Sequence, residues 1–432
     1  MLVRDATLAD GRRRDVLVRD GNIEAVGEGL DGAPAIDARG RLLLPGMVDA
    51  HVHFREPGAP HKETWATGSR SAAAGGVTTV VDQPNTDPPT VTGRAVEEKA
   101  GLAARSLVDY GINGGVTPDW EPDSLFAAPV LALGEVFLAD STGEMGIDAD
   151  LFADAAERAA AAGVTVTVHA EDEQRFDDAA RERSDADAWS AFRTAEAEIA
   201  AVERALAVGD ATGVDLHLAH TSTPEAVDRA AAAGATCEVT PHHLFLSRAD
   251  LPELGTFGRM NPPLRSAERR AALFERVADG TVDMVATDHA PHTRAEKDAS
   301  IWDAPSGVPG VETALPLLLA AAGRGELSYE RVRDLTAAAP ARVFDLPGKG
   351  RIEAGRDADL ALFDADETTD IRGEQLHSKC GWTPFEGMAG VFPEWTMVRG
   401  EVVYASADAD LPAAVAPDGE FGAAAGENVR TA

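Results

Sequence analysis

The sequence predicts an α/β protein whose main part is a (β/α)8 barrel of the TIM type, accompanied by a small composite β domain built from both termini. Three observations predict this fold. Eight short apolar segments between residues 48 and 288 resemble β-strands and are mostly separated by Ala-rich stretches with helical periodicity. A β-rich piece lies at each end of this region. The chain has 432 residues, 44% of them hydrophobic, which is enough for one large barrel and a satellite domain.

Residues 1–47 are predicted to form the first part of the β domain. Two β-type runs, 15–19 and 23–26, flank Asp20-Gly21, which is a strong signal for a tight hairpin. The same pattern returns around Arg399-Gly400, so residues 349–405 are predicted to form the second part. Residues 406–432 are dominated by Ala, Pro, Gly and acidic residues and are predicted to be a disordered acidic tail.

The barrel is predicted to span residues 48–348. Its candidate strands are 48–53, 77–82, 110–113, 130–138, 164–169, 215–220, 236–240 and 282–288, of which the third is the weakest. Helical periodicity occurs in 94–105, 149–162, 195–208, 224–233, 266–278 and 312–322. The acidic segment 172–190 is compatible with a lid or with a solvated helix, and the helix is favoured.

The formal net charge of -34 is extreme and comes from 73 acidic and 39 basic residues. Nucleic acid or an anionic membrane would be repelled by such a chain, so neither is expected as a partner. The acidic residues occur along the whole length, which is typical of proteins from a high-salt cytoplasm, where charge repulsion is screened over a short range.

The sequence favours a cytoplasmic protein that acts on a small molecule. We find no signal-peptide pattern and no run of about 18 apolar residues. Two cysteines, Cys237 and Cys380, are too few for a disulfide framework.

Two histidines, His51 and His53, lie one residue apart at the end of the first candidate barrel strand. Because strand side chains alternate between faces, both imidazoles point the same way. Imidazole is the commonest metal ligand, and such a pair suits zinc. The alternative is a chance His-Val-His in a half-buried strand.

Other candidate strands also end in polar residues. His169 ends the fifth strand, His220 the sixth, and Asp288 the eighth. Active sites of such barrels form at the C-terminal ends of the strands. Burying four imidazoles and a carboxylate together would be unfavourable without a metal ion, so the sequence predicts a metal site at this end.

Six ordered motifs resemble those of dihydroorotases, which are cyclic amidohydrolases. They are Gly-Met-Val-Asp-Ala-His-Val-His-Phe-Arg-Glu-Pro-Gly at 46–58, Gln-Pro-Asn-Thr at 83–86, His-Ala-Glu-Asp at 169–172, His-Leu-Ala-His-Thr-Ser at 217–222, Met-Asn-Pro-Pro-Leu-Arg at 260–265 and Ala-Thr-Asp-His-Ala-Pro-His at 286–292. The resemblance spans roughly residues 1–405, and the acidity makes halophilic archaeal members the nearest match. It implies the reversible cyclisation of N-carbamoyl-L-aspartate to dihydroorotate in pyrimidine biosynthesis.

The resemblance also implies a centre with two zinc ions. His51, His53 and Asp288 would hold one ion, while His169 and His220 would hold the second. Such a pair of ions can polarise a carbonyl and generate a nucleophile near neutral pH. Asp288 would be the general acid/base, although metal ligation alone is the other role open to it.

The substrates carry an α-carboxylate, which calls for a guanidinium group. Arg55 lies two residues beyond His53 and is predicted to supply it. The resemblance implies that Ser306 and Gly307 act as backbone donors to the ring. The full predicted substrate-binding set is His53, Arg55, Asn85, Asn261, His292, Ser306 and Gly307.

One position departs from the family pattern. Many relatives bridge the two metals with a carboxylated lysine on the fourth strand, whereas this chain has Glu135 at the matching position. Another branch uses an aspartate in this region, so Asp140 competes for the role. We predict that Glu135 bridges the metals and that Asp140 serves the loop. An ion pair between Glu135 and an arginine inside the barrel is the alternative, and occupancy of the second metal site stays open.

Two other functions were weighed. An allantoinase or dihydropyrimidinase would open a related ring in the same barrel, but the ring substrates of dihydropyrimidinase lack the carboxylate that Arg55 would bind. A non-catalytic scaffold or partner subunit usually loses metal ligands, whereas every expected histidine and Asp288 are present. The sequence is compatible with a homo-oligomer and does not fix the oligomeric state.

Overall fold

The computed structural model describes residues 1–141 and 145–431 of the chain. Its N-terminal part contains β1 (Leu2–Thr7), β2 (Arg13–Arg19), β3 (Asn22–Gly27), β4 (Ala35–Asp37) and β5 (Leu42–Pro45). Strands β2 and β3 form the predicted hairpin, with Arg19 opposite Asn22. Asp20 and Gly21 have φ angles of 50° and 82°. Positive φ at both central residues gives the turn that matches the twist of the flanking strands.

Eight parallel strands then form the barrel. They are β6 (Met47–Val52), β7 (Val77–Asp82), β8 (Asp109–Ile112), β9 (Leu133–Phe137), β10 (Val166–His169), β11 (Leu216–Leu218), β12 (Thr236–Val239) and β13 (Met284–Val285). They pair in chain order as two arcs, β6–β8 and β9–β13. Parallel bridges join Gly114 to Leu133 and Val52 to His289, so the two arcs close into a barrel. The predicted (β/α)8 fold is confirmed.

The strands β11 and β13 end earlier than the sequence predicts. His220 and Asp288 have φ angles of 34° and 47°, which lie outside the extended region. The backbone therefore turns at His220 and at Asp288 instead of continuing as a strand. A non-glycine residue with positive φ is strained and persists only where surrounding contacts hold it. Such residues occur preferentially at functional sites.

Fourteen α-helices connect or cover the strands in the described residues: α1 (Trp65–Ala74), α2 (Gly93–Ala103), α3 (Pro122–Phe126), α4 (Ala149–Ala162), α5 (Ala188–Phe192), α6 (Ala195–Thr212), α7 (Pro224–Ala233), α8 (Pro241–Phe245), α9 (Leu251–Leu254), α10 (Ala267–Asp279), α11 (Arg294–Lys297), α12 (Ala314–Gly323), α13 (Tyr329–Arg333) and α14 (Ala339–Val343). In α4 the residues Ala155, Ala156 and Ala159 are fully buried. Small side chains on the inner face bring such a helix close to the barrel. None of the helices in the described ranges has the length and apolar character needed to cross a membrane.

The C-terminal part completes the β domain with β14 (Leu360–Phe363), β15 (Thr369–Asp370), β16 (Ala389–Gly390), β17 (Pro393–Val398) and β18 (Glu401–Ala405). Strand β14 pairs antiparallel with β5 on one side and with β17 on the other. The resulting sheet has the order β18-β17-β14-β5-β1-β2-β3, with β4 paired to β1. Both chain ends thus contribute to one sheet with its own apolar core.

The acidic tail differs from the predicted disordered segment. Phe421 forms a bridge with Tyr404, and Asn428 forms a parallel bridge with Tyr110 of β8. The backbone N–H of Gly426 donates to the carbonyl of Ser106. The prediction rested on the overall polar composition of the tail, but a few apolar residues such as Val429 are enough to pack it on the barrel.

The solvated helix favoured for 172–190 is wrong. This stretch forms two short 3-10 turns, Glu173–Arg175 and Asp178–Glu182, and the beginning of α5. Trp189 and Phe192 are buried in an aromatic cluster with Phe176 and Trp302. Burial of these rings holds the segment against the body of the protein.

Candidate active site

The C-terminal end of the barrel brings the predicted metal ligands together. Each candidate ligand lies in or just after a different barrel strand, apart from His51 and His53, which share β6 and its end. All six side chains are buried: His51, His53, Glu135, His169, His220 and Asp288. Strand geometry therefore concentrates four imidazoles and two carboxylates in one small volume.

Glu135 lies at the centre of this group. Its Oε1 is 2.8 Å from His169 Nδ1 and 2.5 Å from His220 Nε2. Its Oε2 is 3.3 Å from His51 Nε2. Two sets of three side chains can each converge on one ion, His51-His53-Glu135 and Glu135-His169-His220, and Glu135 belongs to both.

Asp288 contacts the two histidines of the first barrel strand. Its Oδ1 is 3.0 Å from His53 Nε2 and 3.7 Å from His51 Nε2. The carboxylate thus faces both histidines of the first strand. This geometry fits ligation of a shared cation and leaves the carboxylate at the wall of the cavity described below.

The donor set fits divalent metal ions. The Nε2 atom of His51 is buried and makes no hydrogen bond to any described residue. His169 Nδ1 and His220 Nε2 are only 2.9 Å apart and both point at the same oxygen of Glu135. Converging imidazole nitrogens and carboxylate oxygens are the ligands that zinc takes in proteins.

Two further carboxylates orient the histidines from outside, and the sequence reasoning missed both. Glu238 of β12 accepts from His51 Nδ1 at 2.6 Å and contacts His217 Nε2 at 3.1 Å. Glu171 lies 2.9 Å from His169 Nε2 and is held by Arg193. Such partners fix the ring orientation of metal-binding histidines. A lone carboxylate inside the short apolar strand 236–240 was the available signal for Glu238.

The electrostatics of the site follow from these contacts. Burial alone would lower the pKa of His51, but the carboxylates of Glu135 and Glu238 outweigh burial and raise it well above its ordinary value. Burial would raise the pKa of Asp288, yet the hydrogen bond from His53 and the nearby His51 lower it. The carboxylates are therefore in their charged, metal-binding form at neutral pH.

Asp140, the competing bridge, lies elsewhere. Its side chain is exposed, and its Oδ1 accepts from the backbone N–H of Gly146 at 2.7 Å. Its backbone carbonyl accepts from Arg193. Asp140 thus contacts the loop after β9 and, within residues 1–141 and 145–431, forms no hydrogen bond or ion pair with a histidine.

A cavity opens beside the metal-ligand candidates. Its wall contains most of the predicted substrate residues, namely His53, Arg55, Asn85, Asn261, Ser306 and Gly307. Asn85 Oδ1 lies 2.7 Å from His53 Nδ1 and so connects the cavity wall to a candidate ligand. Phe137 and Ser141 also line the cavity, and neither was predicted.

Arg55 is the buried cation of this cavity. Its Nε donates to the carbonyl of Pro291 at 3.3 Å, and its φ angle is 63°. Burial lowers the pKa of Arg55 to about 10, which leaves the guanidinium charged at neutral pH. Within the described residues Arg55 forms no direct ion pair with a carboxylate, so its guanidinium is available to an anionic ligand.

His292 lies behind Arg55 and is absent from the cavity wall. Its Nε2 is 2.9 Å from the Ser306 carbonyl and 3.2 Å from Arg55, while its Nδ1 is 3.0 Å from Lys62 Nζ. The Ser306 carbonyl can only accept and the Lys62 ammonium can only donate, so these two contacts fit a neutral His292 with its proton on Nε2, and the longer approach of Arg55 is then not a hydrogen bond. Burial and the two neighbouring cations lower the pKa of His292 well below its ordinary value.

Asn261 lies in the cavity wall, and its side chain connects Trp189 to Ser141. Its Oδ1 accepts from the indole N–H of Trp189 at 2.9 Å, and its Nδ2 donates to Ser141 at 2.9 Å. Trp189 belongs to α5, so the aromatic segment fixes the orientation of a predicted substrate contact. The backbone N–H of Gly307 donates to the Arg259 carbonyl instead of facing the cavity, which differs from the predicted role.

A family comparison matches residues 42–403 to the amidohydrolase family. The chain belongs to that family. Among curated relatives of this amidohydrolase, the dihydroorotase of Halobacterium salinarum is 70% identical over 405 residues, covering 93% of this chain and 96% of the relative. The dihydroorotase of Methanosarcina mazei is 46% identical over 411 residues, covering 90% of each. The resemblance to dihydroorotases is confirmed.

Solved structures of the family share the fold of this amidohydrolase. The L-hydantoinase (dihydropyrimidinase) of Arthrobacter aurescens superposes with a TM-score of 0.90 at 30% identity, covering 95% of this chain and 97% of that one. The dihydropyrimidinase of Brevibacillus agri NCHU1002 superposes with a TM-score of 0.89 at 27% identity, covering 99% and 98%. The fold is therefore shared with an L-hydantoinase and a dihydropyrimidinase.

Proposed function

We propose that this protein is a zinc-dependent dihydroorotase, which interconverts N-carbamoyl-L-aspartate and dihydroorotate with loss or uptake of water. The observation that carries the proposal is a buried guanidinium, Arg55, in the wall of the same cavity as the histidine and carboxylate centre. Relatives that are named dihydroorotase and are 70% and 46% identical support it.

The metal centre in this proposal holds two zinc ions. One would be bound by His51, His53 and Asp288, the other by His169 and His220, with Glu135 contacting both. The ions would polarise the amide carbonyl and lower the pKa of water, which is the chemistry such pairs supply. Glu238 and Glu171 keep the imidazole rings of His51 and His169 in the required orientation.

Asp288 moves the proton. In ring opening its carboxylate accepts a proton from the attacking water and passes it to the departing ring nitrogen. In ring closure the carbamoyl nitrogen of N-carbamoyl-L-aspartate attacks the carbon of the side-chain carboxyl group, forming the C–N bond as a C–O bond breaks. Asp288 accepts the proton that the nitrogen loses and passes it to the departing oxygen, which leaves as water with a second proton from solvent. The lowered pKa of Asp288 keeps it ready to accept a proton at neutral pH.

Arg55 selects the substrate. Its guanidinium binds the α-carboxylate, which both N-carbamoyl-L-aspartate and dihydroorotate carry, through paired charge-assisted hydrogen bonds. Asn261 contacts the polar ring atoms from the other wall.

A substrate panel tests the proposal against an allantoinase or dihydropyrimidinase. The hydantoinase neighbours make the second alternative worth measuring. At molar KCl we expect turnover of dihydroorotate and N-carbamoyl-L-aspartate, little turnover of allantoin or dihydrouracil, and loss of activity on chelation. Faster turnover of dihydrouracil, or full activity in a metal-free preparation, would contradict the proposal.

Metal analysis tests the bridge. Glu135→Ala removes a side chain common to both groups of ligands, so we expect it to lose at least one equivalent of zinc. Asp140→Ala changes an exposed carboxylate of the adjacent loop and is the matched control, expected to keep the metal content of the parent protein. The reverse result would assign the bridge to Asp140.

We infer a place in pyrimidine biosynthesis, a small-molecule substrate and a cytoplasmic location. Buried Cys237 and Cys380, both unpaired, are compatible with a reducing compartment.

A further inference from the structure

Lys297 is a fully buried lysine whose ammonium lies in a cage of backbone carbonyls. Its Nζ donates to the carbonyl oxygens of Arg259 at 3.0 Å, Pro305 at 2.9 Å and Gly307 at 3.0 Å. Only the protonated amine has three N–H donors, so three acceptors match the ammonium form. The cage thus resembles the oxygen coordination of a monovalent cation.

This lysine differs from the other deeply buried lysines. Lys99 pairs with Asp82 at 2.6 Å, and Lys349 pairs with three aspartates. Lys297 has no carboxylate partner within residues 1–141 and 145–431. Burial, followed by the nearby guanidinium groups of Arg259 and Arg55, lowers its pKa well below the ordinary value. An apolar side chain would avoid this desolvation penalty, so stability of the fold alone does not account for the charge.

The cage connects two segments that form the cavity wall. Arg259 lies two positions before Asn261, and residues 305 and 307 flank Ser306. The Gly307 N–H also donates to the Arg259 carbonyl, and Arg259 Nε donates to Ser306 Oγ at 3.2 Å. Lys297 thereby holds together the backbone beneath three residues of the wall, and it does not itself line the cavity.

We propose that Lys297 is a positioning residue that acts as an internal cation, fixing the segment 259–261 against the loop 305–307 so that the substrate wall keeps its shape. Without the ammonium, three buried carbonyls lose their donor and turn toward other partners. Carbonyl oxygens that turn into the cavity would repel an anionic substrate. The proposal rests on the proposed function for its kinetic readout, although the wall geometry also has a readout without catalysis.

The first experiment compares Lys297→Met with Lys379→Met. Lys379 is an exposed lysine that donates to a single backbone carbonyl, that of Pro60, far along the chain from the cavity wall, and so is the matched control. Displacement of a positioned wall by about 1 Å can reduce kcat/KM by about 10²-fold. We expect Lys297→Met to show a loss of this order, mainly as an increase in KM, with unchanged zinc content. A loss confined to kcat, or a parallel loss of zinc, would overturn the proposal.

The second experiment is chemical rescue of Lys297→Ala, which removes atoms equivalent to n-propylammonium. The variant is placed in molar tetramethylammonium chloride, which has no N–H donor, and the salt is replaced stepwise by n-propylammonium chloride at constant ionic strength. We expect a saturable recovery of kcat/KM and a saturable increase in Tm in the variant, with neither in the parent protein. Absence of both recoveries would overturn the proposal.

The two experiments separate this proposal from the proposed function. If the parent protein fails to turn over dihydroorotate, the proposed function fails, but the propylammonium-dependent Tm of Lys297→Ala still tests the cage. If the parent is active and Lys297→Ala shows neither recovery with propylammonium, the cage proposal fails alone.

Discussion

Asp288 is one of the candidate metal ligands that also line the cavity. Its Oδ1 contacts His53 at 3.0 Å, and its backbone has a φ of 47°, which places the carboxylate away from the strand direction. Asp288→Ala removes the proton carrier and a metal ligand together, so we expect kcat to fall by at least about 10²-fold. Steady-state kinetics with added zinc measure this. Asp140→Ala serves as the control, and a kcat near that of the parent in Asp288→Ala would refute the acid/base role.

Arg55 makes a separate prediction at the same scale. Arg55→Leu leaves the substrate carboxylate without its buried partner, which corresponds to a loss of about 2–5 kcal/mol in binding. Dihydrouracil carries no carboxylate and should lose far less. The test is to measure kcat/KM for dihydroorotate and for dihydrouracil in the parent and in Arg55→Leu, and to compare the loss for each substrate. Equal losses for both rings would show that Arg55 supports only the fold or the metal centre.

Some residues of the site could be predicted from the sequence and others could not. His51 and His53 were predictable because strand alternation and the position at a strand end give them one direction. Glu238 contacts His51 from a strand 187 positions away, so no local pattern joins it to the centre. Glu171 lies only two positions from His169, but its residue type alone does not show that it contacts the ring. The role of Lys297 was also not predictable, because its partners are backbone carbonyls, which every residue type has.

At the scale of elements, the segment around α5 is the largest departure from the sequence expectation. Its acidic composition favoured a solvated helix, but the rings of Trp189 and Phe192 dominate its packing. Two or three aromatic side chains bury enough apolar area to outweigh the preference of many charged neighbours for water. The segment consequently reaches the cavity wall at Asn261.

Trp189→Phe tests that link. The phenyl ring keeps most of the packing but removes the N–H that fixes the Asn261 amide, a hydrogen bond worth about 0.5–1.5 kcal/mol. We expect KM to rise roughly 2–10-fold with kcat little changed, since this range of energy corresponds to that ratio. Phe192→Leu alters the same aromatic cluster without touching Asn261 and is the control. Identical KM values in Trp189→Phe and the parent would show that the amide needs no such support.

The docked tail gives a pH-dependent prediction. His377 Nδ1 contacts Glu312 at 2.8 Å and its Nε2 contacts Glu420 of the tail at 3.1 Å. Burial would lower the pKa of His377, but Glu312 and then Glu420 raise it above 6.5. A raised pKa in the folded state stabilises the protein fully below about pH 6.5, and this stabilisation is lost as the pH rises through the folded pKa.

Thermal unfolding at constant high salt measures this effect. The Tm difference between the parent and His377→Gln should be largest near pH 6 and should shrink above the folded pKa. Glu374→Gln changes an exposed carboxylate nearby in sequence and is the control. A Tm difference that grows with pH would contradict the assignment.

At the scale of the whole molecule, the charge of -34 dominates the response to salt. Dilute buffer extends the Debye length from about 3 Å at molar salt to about 30 Å at 0.01 M, so the acidic groups repel one another across the surface. We expect both Tm and activity to fall steeply as KCl is reduced. Thermal melts between dilute and molar KCl test this, and an unchanged midpoint would contradict it.

The overall architecture was predictable because strand order, helix spacing and polar strand ends all pointed to one barrel. The exact closure of the barrel was not, since it depends on isolated bridges such as that between Gly114 and Leu133, which have no sequence signal. The same applies to the end of the tail, where Asn428 pairs with Tyr110 of β8, hundreds of residues earlier in the chain.

The composite sheet has a consequence for how the protein is made. Asn22 and Asp357, which meet in this sheet, are 335 positions apart in the chain. At about 5–20 residues per second, a ribosome needs about 17–67 s to produce the second after the first. Throughout that interval the apolar strand β5 lacks its neighbour β14, while the barrel strands emerge and pair in order. The N-terminal strands are therefore the first part synthesised and among the last completed, and β5 is open to pairing with other nascent chains until the C-terminal strands arrive.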